Sequence, residues 1–175
     1  HERVFLSQLS VFANGFTCDA VRSVCSGPPE ALDPMLASLV DKNLVLRIEG
    51  ERSNGFAILQ STREFCARRS EVNAERRRAG ESHARYYREL AVSAGEHLFG
   101  PDQVEWMAVL DRAHPNILAA LEATVEAPNL LEVVDAVAWY WYRRGHHRLG
   151  LEQVEQALAR AAQHRSAARA RALHD

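Results

Sequence analysis

Few residues of this chain could do chemistry, and their spacing limits what that chemistry can be. A phosphate-binding loop needs a glycine-rich turn followed by lysine and serine or threonine, so that backbone N–H groups and the ammonium cradle the oxygens. The one lysine, Lys42, follows a predicted helix and precedes Asn43, so no such loop is present. His146 and His147 look like a metal pair, but adjacent helical residues diverge by about 100°, whereas helical zinc pairs use i,i+4. No Cys-x-x-Cys accompanies them, and they read as turn residues. Cys18 and Cys25 sit on a predicted helix about 10 Å apart, too far to bridge. With Cys66 they make three cysteines, an odd number that argues for small buried apolar residues in a reducing, cytoplasmic compartment. No Ser-His-Asp or Cys-His set can be assembled from these spacings. The expectation is a chain that is not an enzyme, with no catalytic, cofactor-binding or metal residues.

Arginine supplies the one strong charge cluster. Residues 61–100 hold eight Arg and six Glu, and pairs such as Glu64 with Arg68 and Glu81 with Arg85 fall at helical spacing. The bland reading is a solvated, salt-bridged helix face. The functional reading is an interdomain docking patch made of Arg63, Arg68, Arg76, Arg77 and Arg78. The aromatic run Trp139 to Tyr142 could form a ligand cage, but aromatics at helical spacing usually build core. Trp106, Trp139 and Trp141 are therefore assigned to a repeat core.

Nucleic acid is the obvious rival partner. A DNA reader lays a basic helix in the major groove and cations on phosphates. The first 60 residues carry seven acids against five bases, and the third predicted helix carries Asp33 and Asp41 beside Lys42. That charge repels phosphate, and no direct nucleic-acid contact is expected. The net charge of −2 gives no pull toward anionic membrane. No stretch approaches the roughly 18 apolar residues of a membrane span, and His1 to Leu9 shows no signal-peptide pattern. Apolar residues make up 47% and charged residues 25%, enough to bury a core and to exclude general disorder.

The elements that must position these residues are mainly helical. Phe5, Leu6, Leu9, Val11 and Phe12 form an apolar face that ends at Asn14-Gly15. Thr17 is a good N-cap for a second helix through Cys25. After Gly27-Pro28-Pro29, residues Leu32, Met35, Leu36, Leu39 and Val40 mark a third, with Asn43 as a left-handed terminator. The period then switches to two. Leu44, Leu46 and Ile48 alternate with Val45, Arg47 and Glu49, and Phe56 and Ile58 answer the leucine face across a tip from Gly50 to Gly55. Beyond Ser61 only helices are predicted. They are a charged segment from Thr62 to Arg78, then Glu81 to His97 with Tyr86, Tyr87, Leu90 and Leu98 apolar. A helix with Val104, Trp106, Met107, Val109 and Leu110 is broken at His114-Pro115-Asn116, with Asn116 capping Ile117 to Glu126. Leu130 to Tyr142 follows, and Leu151 to Gln163 has Val154, Leu158 and Ala161 inward. Arg165 to Asp175 reads as the opening helix of a further repeat, whose uncapped stripe of Ala168, Ala172 and Leu173 would fray or self-associate. The fold expected is mainly α: a winged-helix domain over 1–72, of three helices and a two-stranded hairpin, then a TPR-like helical-repeat array over 73–175.

Five segments, LSVFANGFT (9–17), LVDKNLV (39–45), ILQSTREFCARR (58–69), GPDQVEWMAVLDRAHPNILAALEATVE (100–126) and AWYWYRRGHH (138–147), occur in one order. Together they resemble the winged-helix and tetratricopeptide-like region of STAND-type (NB-ARC-like) ATPases, as in bacterial LuxR-like and AfsR-like transcriptional regulators. The resemblance implies a switch. The winged helix packs on an upstream nucleotide-binding domain that holds ATP or ADP, the repeats receive a signal or protein partner, and a separate domain gives the output. The ATPase core would precede His1 and more repeats would follow Asp175. Relatives often carry Met-His-Asp near the end of the winged helix, where this chain has Ile58, Leu59 and Gln60. Leucine donates no hydrogen bond to phosphate, so no nucleotide contact is carried onto Leu59. Two alternatives stand beside this reading, a DNA-binding winged helix and a generic helical-repeat scaffold.

Overall fold

The computed structural model describes residues 1–48, 55–68, 73–124 and 127–172. Among the described residues the chain is mainly helical, with a small two-stranded antiparallel sheet. It divides into unit 1, residues 1–87 and 112–123, and unit 2, residues 88–111 and 124–175. The elements run α1 (Glu2–Leu9), α2 (Cys18–Val24), α3 (Pro29–Asp41), β1 (Val45–Ile48), β2 (Gly55–Ile58) and α4 (Gln60–Ala67). Then come α5 (Asn73–His97), α6 (Gln103–Ala123), α7 (Ala127–Arg143) and α8 (His147–Ala172).

The ends of the short helices follow local chemistry. Thr17 caps α2, its Oγ1 accepting from the Ala20 N–H at 3.2 Å. Asn43 takes φ of +55°, which lets the Leu44 N–H donate to the Leu39 carbonyl at 3.0 Å and the Asn43 N–H to Val40 at 2.9 Å. These paired bonds satisfy the last carbonyls of α3. Gly145, at φ +74°, closes α7 in the same way, with the His146 N–H donating to Trp141 at 2.8 Å.

In unit 1, α1 packs on α3 and α4, and α2 on α3. Leu9, Phe12, Val21, Leu32, Leu39 and Val45 are fully buried among them. Lys42 and Ser38 both donate to the Glu2 carboxylate, at 2.6 and 2.7 Å, which ties the start of α1 to the end of α3. The Lys42 ammonium, followed by the Ser38 hydroxyl, holds the Glu2 carboxyl below its ordinary range. The hairpin pairs Val45 with Ile58 and Arg47 with Phe56. Its period is the expected one, but its phase is reversed. Val45, Phe56 and Ile58 are buried, whereas Leu46 and Ile48 are 42% and 45% exposed. Arg47 is tolerated on the inner side because its guanidinium lies 5.8 Å over the Phe56 ring and leads the charge outward. Phe16 adds a short bridge to Phe56, with reciprocal N–H to carbonyl bonds of 2.8 Å. Of the tip expected over Gly50 to Gly55, only Gly55, the first residue of β2, lies among the described residues.

The break expected at His114-Pro115-Asn116 does not occur, and two other helices run through glycines that lie between predicted segments. α5 runs through Gly80, because a stripe of Ala79, His83 and Tyr87 is buried across it and outweighs a penalty of about 1 kcal/mol for helical glycine. α6 runs through Pro115. Leu110, Ala113, Ile117, Ala120 and Leu121 keep one buried face on both sides of it, so Asn116 is an interior residue and not a cap. α8 starts at His147 and includes Gly150, whose missing side chain leaves room for Trp141; a Cβ there would lie 3.3 Å from the indole. Arg165 to Ala172 continues this helix and does not open a separate one; the side chains from 163 onward lie outside the described ones. The inward residue of α8 is Ala157, and Leu158 is 55% exposed. α7 packs on α8.

Candidate functional site

Two clefts stand out, one inside each unit. The cleft of unit 1 has a volume of about 670 Å³ and lies beside the turn after α1. Arg63 reaches it from α4, and Arg76, Arg77 and Glu81 from the start of α5. Arg76 donates through Nε to the Ser10 hydroxyl at 3.1 Å, and Ser10 in turn donates to the Ser7 carbonyl at 2.6 Å. Arg77 faces Glu81 at a loose 3.9 Å, both side chains well exposed. The Arg63 Nε is buried and has no partner among the described residues. Arg76 and Arg77 also sit in the opening turns of α5, where the helix macrodipole is positive and disfavours cations. Three guanidiniums against one carboxylate make this cleft receptive to an anionic group. Of the other expected docking residues, Arg68 pairs with Glu64 at 3.5 Å on the exposed side of α4. Arg78 is exposed on α5 and lies outside this cleft.

The wall of this cleft is held by Asn116, which is fully buried. Its Oδ1 accepts from the Ala13 N–H at 2.8 Å, and its Nδ2 donates to the Gly15 carbonyl at 2.9 Å. The same Oδ1 meets the His83 Nε2 at 3.1 Å. One amide thus satisfies both ends of the turn that links α1 to α2. Phe12 and Phe16 stack at 4.4 Å on that turn, with His83 and Tyr87 against Phe12. Burial lowers the His83 pKa, and the bond to Asn116 only partly offsets it.

The groove of unit 2 has a volume of about 770 Å³ and lies between α5 and α7. Its floor is made of small residues. A Cβ on Gly95 would lie 2.9 Å from the Ala136 Cβ and carbonyl oxygen, so these helices approach as closely as backbone allows. Four residues beyond Gly95, Phe99 meets Trp139, three beyond Ala136, at 5.4 Å between ring centroids. The two segments therefore run in the same direction. Trp139 stacks on Tyr142 at 5.3 Å, and Glu96, Glu132 and Asp135 complete the lining. The aromatic run of α7 thus divides. Tyr140 and Trp141 are buried, whereas Trp139 is half-buried and Tyr142 is 61% exposed. Trp106 is half-buried and stacks on His97 at 4.7 Å. Just past the end of α7, Arg144 makes a two-pronged, solvent-exposed contact with Asp111. Burial and then the Asp111 charge push the Tyr140 hydroxyl up to about 12.

Known families, curated proteins and solved structures were compared with the chain, and none matches. Among the described residues no group of three His, Cys, Asp or Glu could hold a metal, and His146 and His147 are both exposed. No helix among them is long and apolar enough to cross a membrane. None of the three cysteines is in a disulfide. Cys25 and Cys66 are buried, and burial pushes the Cys25 thiol up to about 12, far from a reactive thiolate. Cys18 is only half-buried, a small departure from the expected interior position.

The sequence did not point to His83, Phe99 or the three carboxylates, and it pointed to Asn116 only as a helix cap. For the groove a signal existed. Glu132, Asp135, Trp139 and Tyr142 recur at steps of three, four and three, which is one helical stripe carrying acids and rings together. For Asn116 the neighbouring Pro115 masked the signal by resembling a helix start.

Proposed function

We propose that this chain is a non-catalytic regulatory module of a STAND-type ATPase transcriptional regulator, a winged helix followed by TPR-like repeats, working in the cytoplasm. The observation that carries the reading is the Phe16 bridge to β2. It gives the order helix, short strand, two helices, hairpin, which is how a winged helix closes its wing onto its first loop. Helix pairs joined by short turns in unit 2, with α5 and α7 running in one direction, support the repeat half. The five sequence segments that resemble the family fall on these same elements. In this reading the arginine cleft of unit 1 docks an acidic surface of the upstream nucleotide-binding domain. That domain supplies ATP and ADP binding, and a signal or protein partner acts on the repeats.

DNA reading by unit 1 is the weaker alternative. The one lysine is engaged by Glu2, and Arg22 on α2 is held by Asp33 at 2.8 Å and Asp19 at 3.2 Å. Calorimetric titration of the chain with ATP and ADP tests the non-catalytic half of the proposal. No saturable heat is expected, and micromolar binding would overturn it. The polypeptide encoded upstream of His1 tests the other half, since a phosphate-binding loop is expected there.

A further inference from the structure

The unit 2 groove has a composition that the regulatory reading does not use. Phe99, Trp139 and Tyr142 present rings to it, Phe99 and Tyr142 being 76% and 61% exposed. Soluble surfaces seldom leave two such rings beside a half-buried tryptophan without a partner to cover them. Glu96, Glu132 and Asp135 line the same groove, and no Lys, Arg or His lines it. None of the three carboxylates is in an ion pair among the described residues.

From this juxtaposition we infer that the groove between α5 and α7 binds an arginine-bearing peptide segment of a partner protein. The chemistry selects the cation. A guanidinium lies flat on an aromatic face and forks onto a carboxylate in the same pose, whereas an ammonium is a compact, strongly hydrated point charge. The dimensions select a peptide. From Glu132 to Tyr142 the groove runs roughly 15 Å along α7 at the helical rise, which an extended chain covers in about four or five residues. A single small cation would leave most of that length empty. The acids repel phosphate, which excludes nucleic acid. The close contact of Gly95 with Ala136 makes the floor rigid, so the groove is formed before its partner arrives and little ordering cost falls on binding. The inference uses only side chains of unit 2 and holds whether or not an ATPase domain precedes it.

The test is fluorescence anisotropy of a labelled, end-blocked pentapeptide with arginines at its second and fourth positions, titrated with the whole chain at physiological salt. Saturable binding is expected. Phe99→Ala and Tyr142→Ala should each weaken it about five-fold, and the double variant Glu132→Gln, Asp135→Asn by about ten-fold or more. Circular dichroism should stay unchanged, because these side chains are largely exposed. The lysine version of the peptide should bind several-fold more weakly. The inference is overturned by absence of saturation, or by variants that leave the affinity unchanged. It is also overturned if the lysine peptide or spermidine binds as tightly, because the groove would then be a general polycation surface.

Discussion

In unit 1 the decisive long-range tie is a side chain, the Asn116 amide, which reaches the Ala13–Gly15 turn across a hundred residues of sequence. In unit 2 the corresponding feature is a missing side chain, Gly95, which lets α5 and α7 meet at Ala136. The first kind of joint fixes one geometry, because buried polar groups tolerate no other partner. The second only permits approach, and leaves rings and acids free at the rim. The difference fits a fixed docking body in unit 1 and a recognition surface in unit 2.

The sharpest way to break this contrast lies in α7. Trp141 is fully buried and Trp139 is half-buried at the groove. Trp141→Ala should cost about 3–5 kcal/mol in urea unfolding, and Trp139→Ala clearly less. Equal costs would make the whole aromatic run core and remove the groove's rim. Asn116→Ala comes next. It leaves the Ala13 N–H and Gly15 carbonyl without their partner, and should cost about 2–4 kcal/mol. A cost near zero would show that water replaces the amide and that the turn is not clamped. Gly95→Ala should cost about 1–3 kcal/mol through overpacking against Ala136, and it should also weaken the arginine peptide.

The smallest effect is one of pH. Burial holds the folded-state pKa of His83 below its unfolded value near 6.5. The folded form therefore refuses a proton that the unfolded chain accepts. The stability that depends on a neutral His83 is complete above that value and is lost as pH falls below it toward the folded pKa. The slope attributable to this ring is at most about 1.4 kcal/mol per pH unit. Melting temperatures of the wild type and His83→Gln between pH 7.5 and 5 check it. The wild type should fall more steeply, and parallel curves would remove His83 from the account.

Local chemistry was legible in the sequence where one or two neighbouring residues decide the outcome. Thr17 as a cap, Asn43 in the left-handed region and the two-residue period of the hairpin needed no tertiary information. Distant packing was not legible. The sequence pattern of β1 favours Leu46 and Ile48 as the inner face, and only Phe16 and Phe56, brought from elsewhere, turn Val45 inward instead. Gly80 and Pro115 carry breaking signals that buried stripes override, and those stripes include alanines that hydrophobic patterning underweights. The arginine cleft was half visible. Arg63, Arg76 and Arg77 were named from their charge, but that only these three of the five expected arginines share a cleft depends on how α4 packs on α1. The acids of the groove were passed over because the rings beside them drew the reading toward core.

In the proposed reading the arginine cleft of unit 1 docks a nucleotide-binding domain of the same polypeptide. The most direct measurement is the release rate of a fluorescent ADP analogue from the full-length protein, compared with its Arg63→Glu, Arg77→Glu variant. If the cleft holds the resting state, release in the variant should be faster by about ten-fold or more, as for loss of a buried charged contact. An unchanged release rate, or a full-length protein that binds no nucleotide, would contradict the account.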